Sequence, residues 1–204
     1  MINDNRSTML SVRWHPNETK ISLHRLFLDA PQNIMEALAC YVEEEKGPIP
    51  QKVRAFIDSK FQQYDYSHEL DLSKLQYQGH VYNLQKIYNA LNSEYFNNTL
   101  NLHITWFGRG QAKSRNRLTF GLYHDPLKLI KINRLLDSPS FPDYLVSYVV
   151  YHEMVHHVCP SYYDERGIHR VHSKEFKAKE KEFKYFALAQ EWIKTHKEFL
   201  FYND

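Results

Sequence analysis

The sequence predicts an α+β fold, and three observations carry that prediction. Apolar residues recur at helical spacing in several windows, three short runs rich in β-branched and aromatic residues cluster between residues 102 and 132, and the order runs helix, strands, helix, helix. With 204 residues, 43% hydrophobic and 25% charged, the chain has the composition of a soluble globular protein, long enough for one packed domain plus an extension. Such a composition excludes a disordered chain.

Residues 11–28 read as a short β-hairpin, because Val12, Trp14, Ile21 and Leu23 alternate with polar residues about a turn at His15-Pro16-Asn17-Glu18. Beyond Pro31, Ile34, Leu38 and Val42 repeat at helical spacing, and Val53, Phe56, Ile57 and Phe61 do so after the break at Gly47-Pro48-Ile49-Pro50. These stripes are core-forming faces. Residues 64–79 are polar, tyrosine-rich and aperiodic, which places a boundary there. The expected division is therefore a mainly helical N-terminal extension over residues 1–78 and a second domain over 79–204.

In that second part, residues 81–96 read as a helix with Leu84, Ile87, Tyr88, Leu91 and Tyr95 on one side. Strands are expected over 102–107, 118–123 and 127–132, separated by glycine, asparagine or proline. Ser140 and Asp143 mark the next helix start, with Pro142 in the tolerated first turn and Cys159-Pro160 as the stop. A polar loop over 161–171 then leads to one long helix striped by Phe176, Phe183, Ala187, Gln190 and Ile193.

Several classes of function are disfavoured by the bulk numbers. Cys40 and Cys159 are far apart and form no Cys-x-x-Cys pair, so neither a disulfide framework nor a cysteine-rich zinc finger is expected, and both read as buried thiols. No apolar run has the length of a signal peptide or a membrane span, which predicts a cytoplasmic protein with no membrane partner. A formal charge of +2 does not announce a nucleic-acid binder. Arg109, Lys113, Arg115 and Arg117 form a local cationic run, and residues 173–197 are lysine-rich; solvated surfaces account for both.

One stretch carries chemistry. His152-Glu153-Met154-Val155-His156 lies inside the predicted helix of residues 140–158, and residues four apart return to one helical face, so the two rings can converge on one ion. Glu153 sits beside that pair, where its carboxylate can take a proton from a metal-activated water. With 12 histidines in the chain the pentapeptide arises by chance in roughly 5% of shuffles, so the helical setting with Val149, Val150 and Val155 must support it. A catalytic zinc needs a third protein ligand. Spacing leaves His172, Glu175 and His169 open, while His157 points about 100° away from the ligand face.

His152-Glu-Met-Val-His156 followed by His172-Ser-Lys-Glu-Phe176 resembles the SprT-like zinc metallopeptidase domain, over roughly residues 79–192. The likeness continues upstream through residues 84–96, Ile104-Thr105-Trp106, Gly121-Leu122-Tyr123 and Ile130-Lys131-Ile132-Asn133. It implies a zincin-like fold with a small twisted sheet on the motif helix, one zinc ion on His152, His156 and His172, Glu153 as general base, and protein or peptide substrates paired along an edge strand. Two departures stand out: Ser173 replaces a frequent glycine, and no C-terminal zinc ribbon follows. Tyr123, Tyr162 or Tyr163 would be the candidates to assist an oxyanion. Competing expectations are a non-catalytic zinc-binding module on the same fold and a nucleic-acid-associated protein using the cations of residues 109–117.

Overall fold

Turn chemistry and alternation build the first sheet. Strands β2 (Leu10–His15) and β3 (Glu18–His24) form the expected antiparallel hairpin, and β1 (Ile2–Asn3) pairs parallel with β3. The hairpin ends at His24, whose Nδ1 accepts the Leu26 amide at 3.1 Å and starts a 3-10 turn over Arg25–Asp29. Helices α1 (Gln32–Glu43) and α2 (Gln51–Phe61) follow, and their stripes bury Ile34, Leu38, Tyr41, Val53 and Phe56 with Leu26 and Phe27. Cys40 lies off that stripe and is exposed, contrary to the expectation of a buried thiol. The computed structural model describes residues 2–3, 9–44, 48–61, 65–108, 119–163 and 169–196.

A second core is built around one helix. Helix α3 (Leu84–Phe96) starts where the Asn83 side chain accepts the Lys86 amide at 2.9 Å, which ends the helical pattern short of Val81. Strands β4 (His103–Phe107), β5 (Gly121–His124) and β6 (Leu129–Asn133) form a sheet of order β4-β6-β5, with β6 parallel to β4 and antiparallel to β5. Helix α4 (Asp143–Val158) packs against α3, β5 and β6. It buries Leu145, Val146, Val149, Val150, Tyr151, Met154 and Val155, so it is apolar nearly all round, as a central helix must be.

After α4, β7 (Tyr162–Tyr163) and β8 (His169–Arg170) pair antiparallel. The expected long final helix is two helices, α5 (Lys174–Glu180) and α6 (Phe186–Thr195). The break contains neither glycine nor proline. Packing imposes it: Phe183 is buried against Tyr151 at 5.3 Å, Tyr148 at 5.8 Å and Tyr95 at 6.0 Å between ring centroids. The register changes across the break, so Ala189 is buried while Ala187 and Gln190 are exposed.

The chain is thus mixed α+β, in two compact units: Met1–Tyr64 with Tyr162–Arg170, and Asp65–Ser161 with Val171–Asp204. The division expected after residue 78 falls earlier, because residues 65–78 are bound to the second unit. The Trp106 amide donates to the Gln76 carbonyl at 2.8 Å and the Gln76 amide to the Thr105 hydroxyl at 2.9 Å, so this polar segment lies along the edge of β4. No helix among the described residues is long and apolar enough to cross a membrane.

Candidate metal centre

The helical repeat of α4 places His152 and His156 on one face, with ring centroids 4.9 Å apart. His172 joins them from the start of α5, at 5.1 Å from His152 and 5.0 Å from His156, so the three rings form a nearly equilateral triangle. One ligand nitrogen from each lies within 4.8 Å of the others. The placement of His172 has a local cause. Ser173 caps α5 by accepting the Phe176 amide at 2.9 Å, and Phe176 is fully buried with its ring 4.6 Å from His156 and His172 and 5.1 Å from His152. Phe176 therefore forms an apolar floor under all three imidazoles.

A carboxylate fixes one of those rings. Glu180 Oε1 lies 2.7 Å from His152 Nδ1 and accepts the Tyr148 hydroxyl at 2.6 Å, while Gln190 donates to the Tyr148 oxygen at 2.6 Å. Burial alone would raise the Glu180 carboxyl, but the hydrogen bonds from His152 and Tyr148 hold it below its ordinary value, so it is ionised. An ionised carboxylate only accepts, so His152 Nδ1 carries a proton, and in the neutral ring the lone pair for a ligand bond lies on Nε2. His156 is pushed down to about 3 by burial and by the neighbouring His152 and His172, and His172 is lowered by burial and then by His152. Both are neutral at physiological pH, the form that binds metal.

Glu153 sits beside this triad and is only 5% exposed. Burial raises its carboxyl to about 7, against the opposing influence of His152 and a hydrogen bond from the Tyr123 amide. The close approach of β5 needs Gly121: a Cβ there would stand 2.7 Å from Glu153 Cγ and nearer still to its Oε1. Next to the triad, Phe120, Gly121, Tyr148, Val149 and Ile193 enclose with His152 and Glu153 a cavity of about 240 Å³.

The four site residues expected from sequence come together here. Of the other third-ligand candidates, Glu175 is exposed on the first turn of α5 and is not in the cluster, and the side chain of His169, in β8, lies outside the described residues. His157 faces elsewhere, its Nδ1 2.7 Å from the Tyr123 hydroxyl, which also donates to Asp125 at 2.9 Å. Lys128 pairs with the same Asp125 oxygen at 2.6 Å. The Tyr123 hydroxyl is thus committed to His157 and Asp125, and Tyr162 is exposed. Arg109, Lys113, Arg115 and Arg117 lie outside the described residues.

Sequence reasoning gave no site role to Glu180, Tyr148, Gln190 or Gly121. Glu180 follows Phe176 by four residues, so the helical face that carries the floor also carries the carboxylate; that spacing was the available signal. For Gly121 it was a lone glycine in a strand pattern. Fold and site together define a mixed α+β chain with a three-histidine cluster flanked by a buried glutamate. No family model, curated protein or solved structure matches it.

Proposed function

We propose that this chain is a zinc-dependent metallopeptidase, a zincin of the SprT-like kind, with His152, His156 and His172 as metal ligands and Glu153 as general base. The convergence of three imidazole nitrogens within 4.8 Å beside a buried carboxylate is the observation that carries this reading. The donor set fits the ion: neutral imidazoles suit Zn²⁺, and no fourth His, Cys, Asp or Glu among the described residues joins the cluster. Three protein ligands with one position left is the pattern of a catalytic site, whereas structural zinc is closed by four.

A zinc ion held there would supply Lewis-acid polarisation of a carbonyl and activation of water. Glu153 accepts a proton from the attacking water as its oxygen bonds to the carbonyl carbon. The same carboxyl then gives a proton to the amine nitrogen as the carbon–nitrogen bond breaks. The Tyr123 amide holds Glu153 in place, and Glu180 holds the His152 ring. An extended peptide would pair along β5, the strand at the edge of the sheet opposite β4. The unpaired thiols of Cys40 and Cys159 suit a reducing, cytoplasmic setting.

The test is metal content by mass spectrometry on protein purified without added metal, together with cleavage of an unfolded protein substrate. Near-stoichiometric zinc, lost in His172→Ala and retained in Glu153→Gln while cleavage disappears, is the expected result. Zinc undiminished in His172→Ala, or cleavage undiminished in Glu153→Gln, would overturn the reading.

A further inference from the structure

The cavity beside Glu153 has the size and lining of a pocket for one side chain. At about 240 Å³ it holds roughly eight waters at about 30 Å³ each, below the 300–1,000 Å³ typical of small-molecule sites. One wall is His152 and Glu153, so whatever enters is adjacent to the atoms that would react. The remaining walls are Phe120, Val149, Ile193 and Tyr148. Tyr148 offers only its ring: its hydroxyl proton is given to Glu180 and its oxygen accepts from Gln190. The lining contains no lysine or arginine, so an acidic side chain entering it would lose its water with no cationic side chain to pair with.

The strand that borders the cavity also presents its backbone. Asn133 donates to the Phe120 carbonyl at 2.7 Å, which makes Phe120 and Asn133 a hydrogen-bonded pair in the antiparallel ladder. Pairs alternate along such a ladder, so the amide and carbonyl of Gly121 point away from β6, toward the sheet edge that no other described strand covers. A peptide paired there runs past the cavity mouth at Gly121.

We propose that this cavity selects substrates by receiving one large apolar side chain, of leucine or methionine size, from the residue beside the bond that is cleaved, with Ile193 of α6 setting its depth. This inference rests on the metallopeptidase reading for the bond but makes its own claim about recognition. Its test is calorimetric binding of leucine, glycine and aspartate hydroxamates to the zinc-loaded protein, which requires no turnover. Leucine hydroxamate should bind about tenfold or more tighter than the glycine compound, the scale set by burying such a side chain, and aspartate hydroxamate should be weakest. Ile193→Trp should remove the leucine advantage while zinc content and glycine hydroxamate affinity stay as they were. Ile193→Ala, which cannot overpack, should shift the optimum from leucine toward phenylalanine hydroxamate.

Affinities within about threefold of one another for all three compounds would overturn the inference. So would a leucine advantage that survives Ile193→Trp, an order unchanged in Ile193→Ala, or no binding of any compound. A protein that prefers leucine hydroxamate yet cleaves nothing refutes the peptidase reading and sustains the pocket; one that cleaves without regard to side chain does the reverse.

Discussion

Replacing Glu153 by Gln should make the metal-free protein more stable at pH 8. The folded protein raises this carboxyl from an ordinary 4.5 to about 7, chiefly through burial. A group with a raised folded-state value holds its proton more tightly when folded, so its contribution to stability is present below 4.5 and lost as pH rises through about 7. The difference, about 2.5 at 1.36 kcal/mol for each pH unit, amounts to about 3 kcal/mol of destabilisation from the ionised side chain. Glutamine has nearly the same volume, stays neutral at every pH and keeps an oxygen to accept the Tyr123 amide. Part of the gain is offset because a neutral acceptor binds that amide less strongly than a carboxylate would. The expected net stabilisation is about 1–3 kcal/mol at pH 8, shrinking toward zero below pH 4.5.

The assay is urea unfolding followed by tryptophan fluorescence, on parent and variant stripped of metal with a chelator, from pH 4.5 to pH 8. Acid effects common to both proteins, such as protonation of His156 in the unfolded chain, cancel in the difference. Saturating zinc should narrow the gap, because a nearby cation offsets the cost of the ionised carboxylate. A parent as stable as the variant at pH 8, or a gap that does not change with pH, would refute the reasoning.

Three further outcomes follow from the same geometry. Glu180→Ala should weaken zinc binding about 10- to 100-fold in chelator competition, since His152 loses the carboxylate that orients it. Phe176→Ala should cost about 3–5 kcal/mol in urea unfolding and lower zinc occupancy, because the floor under all three rings is removed. Gly121→Ala should leave zinc bound yet reduce peptide cleavage at least tenfold, because the new methyl occupies the space of the Glu153 carboxylate.

Local spacing made the core of the site legible. His152 and His156 are one helical turn apart, and the helix that carries them is bounded by Pro142 and Cys159, so their convergence follows from residues 142–159 alone. Spacing left His172 open beside Glu175 and His169, and the resemblance singled it out, because its place depends on how the chain returns after Cys159. Glu180 was hidden in a lysine-rich stretch that reads as a solvated face, and its partner His152 lies 28 positions away. The break between α5 and α6 left no local mark, since Phe183 is drawn out of helical register by tertiary packing on Tyr95 and Tyr151. Residues 65–78 looked like a linker for a similar reason: their hydrogen bonds go to β4, about 30 residues downstream, and backbone bonds leave no side-chain pattern.

Glu153 and Glu180 divide the work of the site by environment. Both touch the His152 neighbourhood, and both are largely shielded from water. Glu180 receives donors from His152 and Tyr148, which hold it ionised and fixed. Glu153 faces an apolar cavity with one backbone donor, which raises its carboxyl to near neutrality. A group that must orient a ring gains from permanent charge, whereas one that must take and return a proton gains from a value close to the working pH. Two glutamates whose surroundings drive them in opposite directions within one cluster suit the proton transfer proposed for this site. A site that only held a metal would have no use for the buried carboxyl of Glu153, whose ionisation the fold opposes.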